Sequence, residues 1–153
     1  MKTARSYIDL ENLNDDLGFL VLQMSNLWEQ NHKKVLKRYH ITHTEFCVLA
    51  SIHWLSEHDN LSTTQIGLAK HIKTDPMNIS QTIKGLEKQK LVLRTCHPMD
   101  VRANLVLLTS EGKEIIEKAA LTIHEAERRF FQILGRNYNY FRDCMIKLIQ
   151  SNE

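Results

Sequence analysis

The first forty residues carry a single apolar stripe with the spacing of a helix. Leucine and methionine recur every three or four residues between Leu10 and Leu27, which places their side chains on one helical face. The pattern continues to Tyr39 and predicts one helix of about 30 residues. Because such a helix is longer than a small core can cover, we expect part of its stripe to pack against a second copy of the chain. The alternative is a long intramolecular helix with frayed ends.

Two capping boxes predict the starts of the second and third helices. In such a box a hydroxyl and a carboxylate or amide satisfy the free backbone N–H groups of the first turn. Thr42-x-x-Glu45 begins a helix that ends near Glu57, and Ser62-x-x-Gln65 begins a short one. The residues predicted to face inward are Phe46, Leu49, Ile52 and Leu55 in the second helix and Ile66, Ala69 and Ile72 in the third.

The fourth predicted helix has one apolar face and one polar face. Asp75 caps it, and Pro76 occupies the first turn, where a missing N–H group costs nothing. The helix extends to about Gln89, and its buried face consists of Ile79, Ile83 and Leu86. The outward side chains are small polar, amide and cationic groups, which are the types that reach base edges and phosphates. They are Asn78, Ser80, Gln81, Lys84 and Lys88.

After residue 90 the apolar pattern changes to that of β-strands. Residues 91–96 and 103–108 predict two strands, and Pro98 and Asp100 are turn residues in the loop that joins them. A fifth helix begins at Thr109 and extends to Gly135, and a sixth follows. The inward residues of the fifth helix are Ile115, Ile116, Ala119, Ala120 and Ile123. The sixth helix carries the apolar residues Tyr138, Phe141, Met145, Leu148 and Ile149.

This order of elements predicts a mostly α fold with a small β-hairpin wing. The short third helix, the tight turn and the polar-faced fourth helix form a helix-turn-helix, and the hairpin follows as its wing. We expect one intertwined structural unit of three parts. Residues 1–40 form an N-terminal dimerisation helix, 41–109 a winged helix-turn-helix DNA-binding domain, and 110–153 the C-terminal dimerisation helices.

Positive charge is concentrated in the same central segment. Between residues 61 and 109 basic side chains outnumber acidic ones by four, whereas acidic side chains outnumber basic ones by two in the remainder. A basic middle between acidic flanks is typical of a protein that presents one face to a polyanion.

Seven residues around the predicted hairpin have a fixed spacing. They are a Leu that ends the fourth helix, an Arg in the first strand, Asp-x-Arg in the loop and a closing Leu-Thr-x-x-Gly: Leu86, Arg94, Asp100, Arg102, Leu108, Thr109 and Gly112. This pattern resembles the MarR family of bacterial regulators. Lys90 stands where that family commonly has Gly, which accommodates a left-handed helix cap. Lys can adopt this conformation at a cost of about 1 kcal/mol, and the alternative is that the helix ends differently.

The resemblance implies a sequence-specific transcriptional regulator, commonly a repressor, that binds a pseudo-palindromic site in double-stranded DNA as a homodimer. The fourth helix would enter the major groove with Ser80, Gln81 and Lys84, with Asn78 on the same exposed surface. Arg102, oriented by Asp100, would enter the minor groove. The predicted phosphate contacts are Lys73, Lys88 and Arg94. The alternatives are that Lys84 and Lys88 are solvated surface and that Asp100 and Arg102 only stiffen a turn.

The resemblance also implies release by a small aromatic ligand in a cleft between the dimer helices and the DNA-binding part. The candidate ligand contacts are Trp28, His32, Tyr39, His43, Cys47 and Trp54. The alternative is that these residues, which have helical spacing, are core.

We expect neither a metal nor another cofactor. His40 and His43 have the spacing of a shared metal ligand pair, but they straddle the break before Thr42. A regulatory zinc site and redox sensing through Cys47 remain minor alternatives. Cys96 and Cys144 are interpreted as packing residues.

Other functional classes are disfavoured. The sequence has no Gly-rich phosphate loop, no Gly-x-Ser-x-Gly elbow and no paired carboxylates in a plausible cleft, so we do not expect an enzyme. A winged helix that binds protein would discard the outward cations. No apolar run approaches membrane-spanning length, and the three cysteines are scattered, so we expect a cytoplasmic protein with reduced thiols and no membrane partner.

Overall fold

The computed structural model describes residues 10–58, 63–97 and 103–152. These ranges contain helices α1 (Leu17–Leu36), α2 (His43–Glu57), α3 (Gln65–Ile72) and α4 (Pro76–Lys88), strands β1 (Val92–Cys96) and β2 (Asn104–Leu108), and helices α5 (Ser110–Phe131) and α6 (Tyr138–Ser151). Short 3₁₀ helices lie at Leu10–Asp15, Lys37–Tyr39 and Gln132–Asn137. The predicted mostly α fold with a two-stranded hairpin is confirmed.

The predicted continuous helix over residues 10–39 is wrong. Asp16 has an extended backbone, and its carboxylate accepts a hydrogen bond from the Phe19 N–H at 3.0 Å, so that α1 begins at Leu17. At the other end the chain tightens into a 3₁₀ turn, which His40 ends in a left-handed conformation with φ 55°. An N-cap residue within an apolar stripe starts a new helix but leaves the spacing of the apolar residues unchanged, so the spacing did not predict this break.

The first of the two predicted capping boxes is confirmed. The Thr42 hydroxyl accepts from the Glu45 N–H at 3.2 Å, and the Glu45 carboxylate accepts from the Thr42 N–H at 2.7 Å. Two of the free N–H groups at the start of α2 are thereby satisfied.

The second predicted box is wrong. The hydroxyl of Thr64 caps α3 by accepting from the Gly67 N–H at 3.1 Å, and Ser62 lies outside the described residues. Leu68 and Ala69 face the core, and Ala69 was predicted to do so. Ile66, which was predicted to face inward, is 63% exposed.

The core lies where α2, α3 and α4 meet the hairpin and the inner faces of α1 and α5. Its fully buried side chains are Leu36, Val48, Leu49, Ile52, Leu68, Ile79, Ile83, Leu86 and Val106. The core therefore holds α4 by one face and leaves its opposite face to solvent.

The hairpin is anchored at its base. β1 and β2 are antiparallel, with Val92 opposite Leu108 and Cys96 opposite Asn104. The Val106 N–H donates to the Thr63 carbonyl at 3.1 Å, which ties β2 to the start of α3. Cys96 is exposed, so its interpretation as a packing residue is wrong, because at this point the strand lies beyond the core.

The C-terminal helices differ from the predictions in two respects. α5 ends at Phe131 and not at Gly135, which has φ 49° within the following 3₁₀ segment. Ala120 is exposed, whereas Ala119 and Ile123 are buried as predicted. α6 has no buried residue. In the described ranges, no helix combines the length and apolar character needed to cross a membrane.

Candidate nucleic-acid interface

α4 presents a polar face opposite its buried one. Ile79, Ile83 and Leu86 are 0% exposed, whereas the side chains of Gln81 and Lys84 project into solvent. The helix is capped as predicted: the Asp75 carboxylate accepts from the Met77 N–H at 2.6 Å, and Pro76 occupies the first turn. The sequence thus fixes both where α4 begins and which face points outward.

The predicted contact residues occupy different positions around α4. Gln81, Lys84 and Lys88 lie opposite the core, whereas Asn78 is exposed on one flank and Ser80 is half-buried on the other. Lys73 lies in the turn before α4, in a left-handed conformation with φ 59°. Gln81, Lys84 and Lys88 therefore share one face of α4, with Asn78 and Ser80 on either side of it and Lys73 in the preceding turn.

Met77 is a surface residue of α4 that our sequence analysis did not single out. It lies in the first turn and is 69% exposed. The search for amide and cationic groups passed over it because it is apolar. The sequence signal that could have found Met77 is its spacing of four residues from Gln81, which places both on one helical face.

α4 is joined to β1 through the left-handed turn that the sequence suggested. Lys90 has φ 60°, and the Leu91 N–H donates to the Leu86 carbonyl at 2.9 Å. The Thr109 hydroxyl donates to the Lys90 carbonyl at 2.7 Å and accepts from the Gly112 N–H at 3.0 Å. The Thr-x-x-Gly motif therefore holds α5 against this turn.

Arg94 forms an ion pair with α4. Its Nε lies 3.2 Å from the Glu87 carboxylate, and both side chains are about one-third exposed. The pair fastens β1 to the end of α4, and the predicted phosphate contact of Arg94 stays a prediction. Asp100 and Arg102 lie outside the described residues, so their predicted contacts also stay predictions.

Four of the six candidate ligand residues lie together between α1 and α2. The rings of Trp28 and His32 have centroids 4.0 Å apart, and the Nδ1 atoms of His32 and His43 are separated by 2.7 Å. The other ring nitrogen of His43 lies 3.7 Å from the Cys47 sulfur. This row of side chains links the two helices.

The other two candidates lie elsewhere. The Tyr39 hydroxyl donates to the Lys118 carbonyl at 3.1 Å and so joins the end of α1 to α5. Trp54 stacks between His58 and His71, with ring centroids 4.0 and 5.1 Å away. The six residues therefore do not line one cleft.

Burial controls the protonation of this row. It lowers the pKa of His32 to about 4, with a further contribution from nearby His43, and it also lowers the pKa of His43. Burial and then the charge of Glu29 raise the pKa of the Cys47 thiol to about 11. Cys47 is therefore held as a thiol, which is a poor nucleophile.

No group of three or more metal-binding side chains in the described parts of the chain is placed to hold an ion.

An apolar cavity of about 520 Å³ lies between α1, α5 and α6. Of the predicted ligand residues only Trp28 lines it; the other large contributors are Val21, Met24, Phe131, Tyr138, Phe141 and Arg142. Sequence reasoning missed the contribution of α6 because its apolar spacing was assigned to packing. The cavity opens beside an extended apolar surface on α1 and α6.

The comparisons with known proteins agree with this geometry. Residues 30–119, more than half of the chain, match the family described as "Transcriptional regulator SarA/Rot". The chain belongs to the SarA/Rot family of transcriptional regulators. The matched segment of this SarA/Rot-family protein contains the helix-turn-helix, both strands of the hairpin and the first part of α5.

Individual relatives of this SarA/Rot-family protein place it among the MarR-type regulators. It is 29% identical to the uncharacterized HTH-type transcriptional regulator YdcH of Bacillus subtilis (strain 168). The alignment of 127 residues covers 83% of this chain and 86% of YdcH. A MarR-family transcriptional regulator from Rhodococcus sp. RHA1 superposes with a TM-score of 0.76 and 27% identity, over 89% of this chain and 94% of that one. CouR from Rhodococcus jostii RHA1, bound to p-coumaroyl-CoA, superposes with a TM-score of 0.73 and 25% identity, over 88% and 92%. The resemblance to MarR regulators that the sequence suggested is confirmed.

Proposed function

We propose that this SarA/Rot-family regulator is a repressor that binds a pseudo-palindromic site in duplex DNA as a homodimer. The observation that carries the proposal is the two-faced α4, whose inward residues Ile79, Ile83 and Leu86 are completely buried while Gln81, Lys84 and Lys88 face solvent. Amide and ammonium groups on such a helix match the donors and acceptors at base edges and the phosphates that flank the major groove.

The turn before α4 and the hairpin supply further contacts in this proposal. Arg102, oriented by Asp100, enters the minor groove next to the recognition helix, where the negative potential attracts a guanidinium group. Lys73 and Arg94 lie close to the same groove walls and position the protein on phosphates. The net positive charge of residues 61–109 supports this assignment.

A second copy of the chain completes the binding unit. Leu17 and Leu27 on α1 and Leu148 on α6 are 78%, 56% and 65% exposed, so these helices have an apolar surface that nothing in the described part of the chain covers. Packing residues 1–40 and 110–153 of two copies together would set the two 41–109 units side by side. The two α4 helices would then lie about 34–36 Å apart, one turn of duplex, which requires a site with two similar halves.

A small aromatic ligand controls this binding in our proposal. The cavity between α1, α5 and α6 is lined by Trp28, Phe131 and Phe141, which suit an aromatic ring. Its charged lining residues are Glu127 and Arg142, and Arg142 forms an ion pair with Asp143 at 2.9 Å. Its volume of about 520 Å³ lies within the range of small-molecule sites. CouR, a structural neighbour, is bound to p-coumaroyl-CoA, whose p-coumaroyl group is aromatic, and this supports an effector that carries an aromatic ring.

The experiment is to select bound sites from a random duplex pool and to measure affinity for the selected site at several salt concentrations. Binding should weaken steeply with salt, because phosphate contacts release counterions. Lys84→Ala should weaken binding to selected and random duplex alike and lower the salt slope by about one. Arg102→Ala should lower affinity for the selected site by more than about tenfold and leave the oligomeric state unchanged.

Lys118→Ala is the matched control, since this exposed lysine lies on α5 and belongs to neither α4 nor the hairpin. Its affinity and salt slope should equal those of the wild type. A salt response that is flat for the wild type would contradict the proposal and favour a winged helix that binds protein.

A further inference from the structure

The outward line of α4 begins with an apolar side chain. Successive residues of a helix are rotated by about 100°, so positions i, i+4, i+7 and i+11 fall on one line. Met77, Gln81, Lys84 and Lys88 have this spacing and lie directly opposite the buried face of the helix. Met77 therefore belongs to the same surface as the amide and the two cations, and it is 69% exposed.

The backbone at Met77 is fixed although its side chain is exposed. The Asp75 carboxylate accepts from the Met77 N–H at 2.6 Å. The side-chain amide of Gln65 on α3 donates to the carbonyl of Pro76 at 3.2 Å. These two contacts hold the first turn of α4 on both sides, so the direction in which the Met77 side chain leaves the helix is determined.

The position and chemistry of this side chain select one partner on duplex DNA. The N-terminal residues of a recognition helix are those that contact base edges. In the major groove the apolar group that a base pair offers is the C5-methyl group of thymine. A thioether is unbranched and adapts to an irregular apolar contact, whereas it is a weak partner for the polar edges of the other bases.

We propose that Met77 reads a thymine in each half of the DNA site by packing its thioether against the thymine methyl group. The inference rests on the proposed function and adds one base identity to it. Gln81 lies one turn further along the same line and contacts a neighbouring base. Lys84 lies two turns further and contacts a phosphate. Met77 thereby determines specificity, while the lysines supply affinity that is common to all sequences.

The test removes only the methyl group. Each thymine of the selected site is replaced in turn by deoxyuridine, which keeps the base pairing, and affinity is measured by fluorescence anisotropy. At one position in each half-site the wild type should lose affinity by about fourfold, the factor that corresponds to one buried methyl group. Met77→Ala should bind the thymine and uracil sites equally. Lys84→Ala should bind both more weakly and keep the fourfold ratio.

The outcomes separate this inference from the proposed function. Specific binding by the wild type with equal affinity for every uracil-substituted site overturns the role of Met77 and leaves the proposed function standing. The same follows if Met77→Ala keeps the full thymine-to-uracil ratio. If the wild type does not bind duplex DNA at all, both fail. Thermal unfolding of Met77→Ala, which should match that of the wild type because the side chain is exposed, checks that the variant is folded.

Discussion

His32 is the residue whose surroundings most restrict its chemistry. Its side chain is buried, its Nδ1 lies 2.7 Å from Nδ1 of His43, and its Nε2 is buried without a hydrogen-bond partner among the described residues. One Nδ1–H can donate to the lone pair of the other ring only while at least one imidazole is neutral. Protonating both would place two N–H groups face to face and leave a buried donor unsatisfied at Nε2.

The surroundings of His32 predict that the protein loses stability in acid. The pKa of His32 is about 4 in the folded chain and about 6.5 in the unfolded chain, so the unfolded chain binds more protons between these values. The free energy of unfolding should therefore decrease as the pH falls through this window, by on the order of 2 kcal/mol between pH 7 and pH 5. Urea unfolding at several pH values measures it.

The histidine signals in an NMR titration provide the control. The His32 imidazole should remain neutral at pH 5, and His32→Phe should flatten the dependence of stability on pH over the same range. A His32 signal that titrates near pH 6.5 would show that burial does not control this residue.

At the scale of elements, one junction joins α4, β1 and α5. The left-handed Lys90 turns the chain out of α4, Thr109 binds the Lys90 carbonyl, and Gly112 allows α5 to approach the backbone. A Cβ atom at Gly112 would lie 2.0 Å from the carbonyl oxygen of Leu91, much closer than any van der Waals contact. The glycine is therefore required by a close approach of two elements.

Gly112→Ala should destabilise the protein by about 1–3 kcal/mol, because the overlap is with backbone, which cannot rotate away. The measurement is the midpoint of thermal unfolding. Gly85→Ala is the matched control: its Cβ would lie 3.6 Å from the Glu45 side chain, an ordinary contact, within α4. This second variant should be as stable as the wild type or slightly more stable, since alanine favours a helix. If the two substitutions changed the unfolding midpoint equally, the close approach at Gly112 would not be the cause of the destabilisation.

The sequence predicted those features of the elements that depend on neighbouring residues. The Thr42 capping box and the Asp75 cap with Pro76 are each set by side chains within a few positions. The left-handed Lys90 was one of two alternatives that the family resemblance left open. The start of α3 was predicted wrongly because Ser62 and Thr64 can both serve as caps. The choice of Thr64 accompanies its pairing with Leu105 of β2, which is a tertiary contact.

The candidate ligand residues show the same limit. The cleft that the family resemblance implies led to the choice of Trp28, His32, His43 and Cys47, which do lie together on adjoining stretches of α1 and α2. The choice also included Tyr39 and Trp54, which the fold directs towards α5 and α3. The part played by α6 in the cavity could not be predicted, since it depends on how the chain turns at Gly135.

At the scale of the whole molecule, apolar surface is distributed unevenly. α6 has no buried residue, and most of the leucines of α1 are exposed, whereas the core around α2 and α4 is closed. Contiguous apolar surface of this kind marks an interface. The proposed homodimer accounts for it, since the two helices of one copy would cover those of the other.

A charge placed on this surface should separate the copies. Leu148→Glu, at a position that is 65% exposed, should shift the protein from dimer to monomer in analytical ultracentrifugation and lower its affinity for the DNA site. Ile66→Glu on α3 is a control of equal character, since Ile66 is 63% exposed but lies outside α1 and α6. It should leave the dimer intact. A wild-type protein that sediments as a monomer at micromolar concentration would contradict the proposed assembly.

The ion pair between Glu87 and Arg94 and the hydrogen bond from Thr109 to the Lys90 carbonyl fasten the hairpin to α4 at two points. Neither part can tilt alone without breaking one of these contacts. In the proposed complex, a shift of α4 out of the major groove would therefore withdraw the hairpin from the neighbouring minor groove in the same movement. Dissociation should consequently occur in one concerted event, so that the site is either fully engaged or vacant, with no half-bound intermediate held by the hairpin.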